Sequence, residues 1–156
     1  MRLTNYSTIK IIPGIYYFSV VIFFLIIFLN FQLDGTLFPS INYYYLVLTS
    51  IFAGLIYVYI GWKYFEYDSE GEVVVFLNRG VILSNFLNYR GNAIEIRRSR
   101  IVDYRIYNFI IYKRLVIKIE NNNKSFTRSC NVTLVSPKKI KYLRQSLDKI
   151  ISKNKS

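Results

Sequence analysis

The sequence predicts an α+β membrane protein: a two-helix transmembrane hairpin, then a small antiparallel sheet or partly open barrel, capped by a C-terminal amphipathic helix. Three observations carry that expectation. Residues 11–33 and 35–62 are two apolar runs without a charged residue. Beyond residue 73 the chain is rich in β-branched and aromatic residues that alternate with polar ones, the period of a strand. Its end carries an apolar stripe at three- and four-residue steps. The expected organisation is an N-terminal tail at 1–10, spanning helices at 11–33 and 43–64, an external turn at 34–42, and one domain at 65–156.

A helix over residues 11–33 would be roughly 34 Å long at about 1.5 Å per residue, enough for a hydrocarbon core of about 30 Å. The second run is helix-length too, and lipid leaves a spanning segment only helix or closed barrel. A cleaved signal peptide would have a shorter apolar region and a small-residue cleavage site. Asn30, Phe31, Gln32, Leu33 and Asp34 offer none. A core helix of a soluble protein would show a polar face, and residues 20–29 have none.

Tyr16 and Tyr17 lie near the start of the first helix, Tyr43 and Tyr44 open the second, and Trp62 closes it. Tyr and Trp favour the headgroup level, so these five are candidate interface residues. Arg2 and Lys10 precede the first run, Lys63 follows the second, and the connecting turn carries only Asp34. The Lys/Arg bias predicts a multi-pass protein of the cell (inner) membrane with both termini cytoplasmic. Gly54 and Gly61, with Ser50 and Ala53, leave notches for a close helix. Packing of the two helices on each other accounts for them, and a homodimer is open. No ionisable residue lies inside either span, which argues against an ion pathway.

Some 90 residues remain for a folded part, one small domain. A lone cysteine, Cys130, excludes an internal disulfide and a cysteine-pair metal site. Histidine is absent, which removes the usual general base and commonest metal ligand. No cofactor or metal is expected, and no enzyme. The one constellation weighed for chemistry, Glu95, Asp103 and Lys118, suits cross-strand ion pairs better.

In chain order, residues 65–72 hold four carboxylates and read as a solvated exit turn. Residues 73–77 and 81–87 read as strands around a turn at Asn78, Arg79 and Gly80, with a second turn at 88–92. Ile94 and Ile96 alternate with Glu95 and Arg97. Arg98, Ser99 and Arg100 interrupt, and a strand resumes at 101–107 with Val102, Tyr104 and Ile106 on one face. Residues 109–112 are apolar without alternation. Leu115, Ile117 and Ile119 mark another strand, and Asn121 to Lys124 a turn. The return strand places Phe126, Cys130, Val132 and Leu134 on one face. Arg128 shares it, which puts it at an open end of the sheet or beside a bulge. Ser136 can cap a helix at about 137–152 with Pro137 in its first turn. Ile140, Leu143, Leu147, Ile150 and Ile151 form its buried stripe.

Two spanning helices, a strand-rich segment and a closing helix resemble the bacterial pleckstrin-homology-like membrane proteins. The resemblance rests on Val74 to Leu87, with Gly80 in the turn. It rests also on the stretch Ile94-Glu95-Ile96-Arg97-Arg98-Ser99-Arg100-Ile101-Val102-Asp103-Tyr104, similar to that family's segment joining two strands. It covers roughly residues 10–151 and carries no catalytic residues. Residues 108–113 depart from it in lacking a glycine before the next strand. The resemblance implies a partly open barrel capped by the helix, with a binding or scaffolding role.

Residues 65–156 hold 18 Lys and Arg against 8 Asp and Glu, a net +10. Near a membrane each basic residue gains about 1 kcal/mol from anionic headgroups. The candidate lipid or partner contacts are Arg97, Arg98, Arg100, Arg105, Lys113 and Arg114 between strands, and Lys138, Lys139 and Lys141 on the helix. Nucleic acid is not expected, since no recognition-helix or RNP-like motif is present. The expected partners are the bilayer, its anionic headgroups, and another membrane or cytoplasmic protein. The expected function is a non-enzymatic two-pass membrane protein that presents a basic interaction domain. An accessory or scaffold subunit of a membrane enzyme or transport complex is the alternative.

Overall fold

The computed structural model describes residues 1–33, 38, 40–82, 91–121 and 124–155. The chain is α+β. Two long apolar helices, α2 (Ile12–Gln32) and α3 (Ile41–Gly61), are accompanied by two antiparallel sheets and a C-terminal helix, α4 (Pro137–Lys155). The first sheet has four strands and the second three, each in chain order. No ladder joins them among the described residues, so there is no closed barrel.

The ten residues expected as a tail are part of this fold. β1 (Arg2–Thr4) pairs with β2 (Lys63–Asp68), Leu3 opposite Tyr67, and a short helix α1 (Tyr6–Ile9) leads into α2. The helical pair is therefore inserted between the first two strands of one sheet. Lys63 and Tyr64, expected in the second helix, open β2, and the exit turn expected at 65–72 shrinks to 69–72. Alternation is the cause: Phe65 and Tyr67 are wholly buried, while Glu66 and Asp68 take the other face. Glu66 is held there by Arg2, whose Nη2 lies 2.6 Å from it.

β3 (Val73–Gly80) overturns the turn expected at 78–80. It runs straight through, with Asn78 opposite Asn92 and Arg79 opposite Gly91 of β4 (Gly91–Arg97). Val81 and Ile82, expected to open a strand at 81–87, form a bend; the rest of that strand and the start of the turn at 88–92 lie outside the described residues. Gly91 and Asn92 belong to β4. A single 3-10 turn, Arg98–Arg100, leads into β5 (Ile101–Asn108), which bulges between Ile101 and Asp103. β6 (Lys113–Asn121) and β7 (Lys124–Asn131) follow as a meander.

The core lies between the sheets and is closed by α4. Val74 and Phe76 from one sheet, Leu115, Ile117 and Cys130 from the other, and Leu143 and Leu147 of α4 share it. Each such aliphatic side chain contributes about 1.5–3 kcal/mol by leaving water. α4 begins as its sequence demands: the Lys139 N–H donates to Ser136 Oγ at 3.4 Å, with Pro137 in the first turn.

α2 and α3 run antiparallel and touch through rings such as Phe23 and Phe52, 6.3 Å apart. The two glycines are not where they pack. A Cβ at Gly54 would meet nothing within 4 Å, and one at Gly61 would meet the Tyr57 ring of its own helix.

Candidate interaction surfaces

The geometry of any surface here follows from how the helical pair is joined to the domain. That joint is built from three buried asparagines. Asn131 Nδ2 donates to the Gly61 carbonyl at 2.6 Å, at the end of α3 where helix carbonyls lack partners. Asn78 Nδ2 donates to the Tyr64 and Asn131 carbonyls, and its Oδ1 accepts from the Asn131 N–H at 3.2 Å. Asn5, 1% exposed, donates to the Lys63 carbonyl and accepts from the Phe65 N–H at 2.9 Å. One end of the domain is thereby bonded to α3, α1 and both sheets.

A second cluster seals the joint. Ile9, Ile12 and Tyr64 are buried there, with Val58, Trp62 and Leu134 against them. Arg79 lies over the Tyr64 ring at 4.7 Å, and the Tyr64 hydroxyl donates to Glu66 Oε2 at 2.5 Å. Burial first, then the Glu66 hydrogen bond and charge, push the Tyr64 hydroxyl up to about 12. Glu66 likewise raises the Arg2 guanidinium through its hydrogen bond and charge.

From this joint the strands run outward. Arg97 pairs with Val73, two residues beyond the partner of Asp68. That sets Arg97 roughly 23 Å from Lys63 at about 3.3 Å per residue. The basic residues singled out in the sequence therefore separate by level. Lys113 and Arg114 sit at the proximal end, where the Val132 N–H bonds the Lys113 carbonyl at 2.9 Å. Lys138 and Lys141 are exposed near the proximal end of α4. Lys139 is committed inside, its Nζ donating to the Thr4 carbonyl at 2.7 Å. Arg105 stands midway on β5, 3.9 Å from Asp103.

Arg97, Arg98 and Arg100 are at the distal end, where Asn154 of α4 bonds the Arg98 and Ile101 carbonyls. Arg98 holds the fold together, its guanidinium donating to the Ser69 carbonyl. Arg97 and Arg100 instead line a groove of about 630 Å³ between β4 and the far ends of β6 and β7. Arg128 and Phe126 line it too. Arg128, out of place on an apolar face of its strand, was the signal for this groove. Its floor includes Ile94 and Ile119, and Glu95 is its acidic member. β4 ends its sheet, so the groove runs beside a strand edge without a ladder partner among the described residues.

Glu95, Asp103 and Lys118 do not meet. Asp103 faces Lys118 across β5 and β6, while Glu95 pairs with Val75 in the other sheet. Among the expected interface aromatics, Tyr17 and Tyr43 are exposed, and Tyr16, Tyr44 and Trp62 are half-buried. Trp62 sets its ring edge-on to Tyr57 at 6.5 Å. Elsewhere the Tyr104 hydroxyl donates to Asp148 at 2.8 Å, tying β5 to α4. Burial and then Asp148 push it up to about 12.

No protein-family model matches this chain, and no curated protein or solved structure matches it.

Proposed function

We propose that this chain is a two-pass membrane protein whose cytoplasmic, pleckstrin-homology-like domain binds an extended acidic segment of a partner protein. The observation that carries the reading is the insertion of an apolar helical pair between β1 and β2, with the arginine groove at the opposite end. The most apolar windows of the two helices are 6% and 0% buried. Apolar surface left open on that scale calls for a cover, and lipid supplies one along the full length of both helices. β1 and β2 are neighbours on either side of the pair, which supports both flanks lying on one side of the membrane. The excess of Lys and Arg on those flanks favours the cytoplasmic side.

A groove roughly 23 Å from the joint is poorly placed for headgroups of the same bilayer and well placed for a protein. Arg97, Arg100 and Arg128 offer forked donors to carboxylates. The outer edge of β4, unpaired among the described residues, offers main-chain hydrogen bonds to an extended segment. The partner could belong to a membrane enzyme or transport complex, with this chain as its accessory subunit; the groove serves both descriptions.

The test is photo-crosslinking in native membranes with benzoylphenylalanine in place of Phe126. The expected result is a single protein adduct that disappears on Arg97→Glu with Arg100→Glu. Absence of a protein adduct, or an adduct indifferent to those reversals, overturns the groove as the binding site.

A further inference from the structure

The turn between β5 and β6 goes against its own local chemistry. Asn108 pairs with Lys113, and the Phe109 N–H donates to the Tyr112 carbonyl at 2.8 Å. Ile110 and Ile111 are left alone as a two-residue tip. Such tips favour Asn-Gly, Asp-Gly or Gly-containing pairs, and β-branched residues suit them least. Ile110 is 104% exposed, Ile111 62% and Phe109 59%. They bury little within the domain, and a breach of local rules without a gain in the fold marks a functional site.

The position of the tip identifies the gain. Tyr57, in the last turns of α3, donates its hydroxyl to the Ile111 carbonyl at 2.6 Å. The tip is therefore level with the end of an exposed apolar helix. Phe109 stacks on Tyr107 at 6.5 Å and on Tyr112 at 6.4 Å. Lys113 and Arg114 stand at the neck. An apolar tip, an aromatic collar and a basic neck follow the polarity sequence of a membrane surface read from acyl chain to phosphate.

We infer that the β5–β6 tip is a third membrane contact, with Ile110 and Ile111 in the acyl–headgroup boundary beside α3. Tyr107, Phe109 and Tyr112 lie at headgroup level, and Lys113 and Arg114 face anionic phosphates. The inference rests on the reading that α2 and α3 span that bilayer. A tip bonded to α3 adds a contact from the second sheet to those that the helical pair makes.

The test uses the full chain in lipid nanodiscs, spin-labelled in turn at Ile110→Cys, Phe28→Cys in α2 and Lys124→Cys at the start of β7. Cys130 stays in place, since its buried thiol resists labelling, and unsubstituted protein serves as the blank. Collision with oxygen and with a water-soluble nickel chelate reports depth. Phe28 and Ile110 are expected to favour oxygen, Ile110 at about 5–10 Å depth, and Lys124 to favour the chelate. If Ile110 matches Lys124 while Phe28 reads lipid, the tip is in water and the inference falls alone. If Phe28 reads water, the spanning reading falls and takes the inference with it. Should the labelled Ile110 variant lose its fold, Ile110→Trp in a Trp62→Phe chain replaces it. Quenching by brominated lipid is then expected, and its absence overturns the inference.

Discussion

Asn131 ties α3 and both sheets into one unit. Its side chain takes the last carbonyl of α3 and the Thr133 N–H, while its main chain is held by Asn78. Replacing it by Ala takes the partner from a part-buried helix-end carbonyl, at a cost of about 1 kcal/mol. Thermal unfolding in detergent is expected to show that loss for Asn131→Ala, with far-UV helicity retained at low temperature. None of this was legible from residue type. Asn78 read as a turn residue because Asn commonly is one, and Asn131 lay unremarked within the expected return strand. That they bond across two sheets depends on partners 53 positions apart. Arg128 was legible as an anomaly, and the groove it lines with Arg97 and Arg100 explains the anomaly.

At the scale of elements, periodicity told most where one face alone is wet, as in β5, β6 and α4, and α2 and α3 were legible as long charge-free runs. All five lie within a few residues of where the sequence put them. β1 and β2 escaped notice because three residues before a long apolar run look like a flank, and four carboxylates look like a turn. Yet Leu3 packs on the core and Tyr67 opposite it is fully buried. Leu3→Asp would set a charge against that core, where an unpaired carboxylate costs several kcal/mol. The expected outcome is lost β1 pairing, read as fast amide hydrogen exchange at Phe65 and Tyr67, whose N–H groups face β1, in an otherwise folded chain. Unchanged protection there would mean that β1 adds nothing to the sheet.

For the whole molecule, the limit to stability at high pH follows from three groups. The Tyr64 and Tyr104 hydroxyls are pushed up to about 12 from 10.0, and the buried Cys130 thiol to about 12 from 9.0. Each stays protonated in the folded chain after its unfolded counterpart has ionised. Their contribution is therefore complete below about pH 9 and is lost as pH rises from there to about 12. The midpoint of unfolding is expected to fall steeply across pH 10–12, and less steeply in Tyr64→Phe with Tyr104→Phe. Equal slopes would show that other groups set the alkaline limit.

The place of β1 also sets an order of events during synthesis. Its partner is not made until both apolar helices have been synthesised, since Arg2 waits for Asp68. At about 5–20 residues per second that delay is several seconds. For a helical pair that crosses a bilayer, insertion thus comes before the sheet can close. A nascent chain whose first strand has strayed to the opposite leaflet cannot complete the sheet at all. On the proposed two-span reading, closure then acts as an inspection of topology, and a mis-threaded chain is left with an open edge and an uncovered Tyr67.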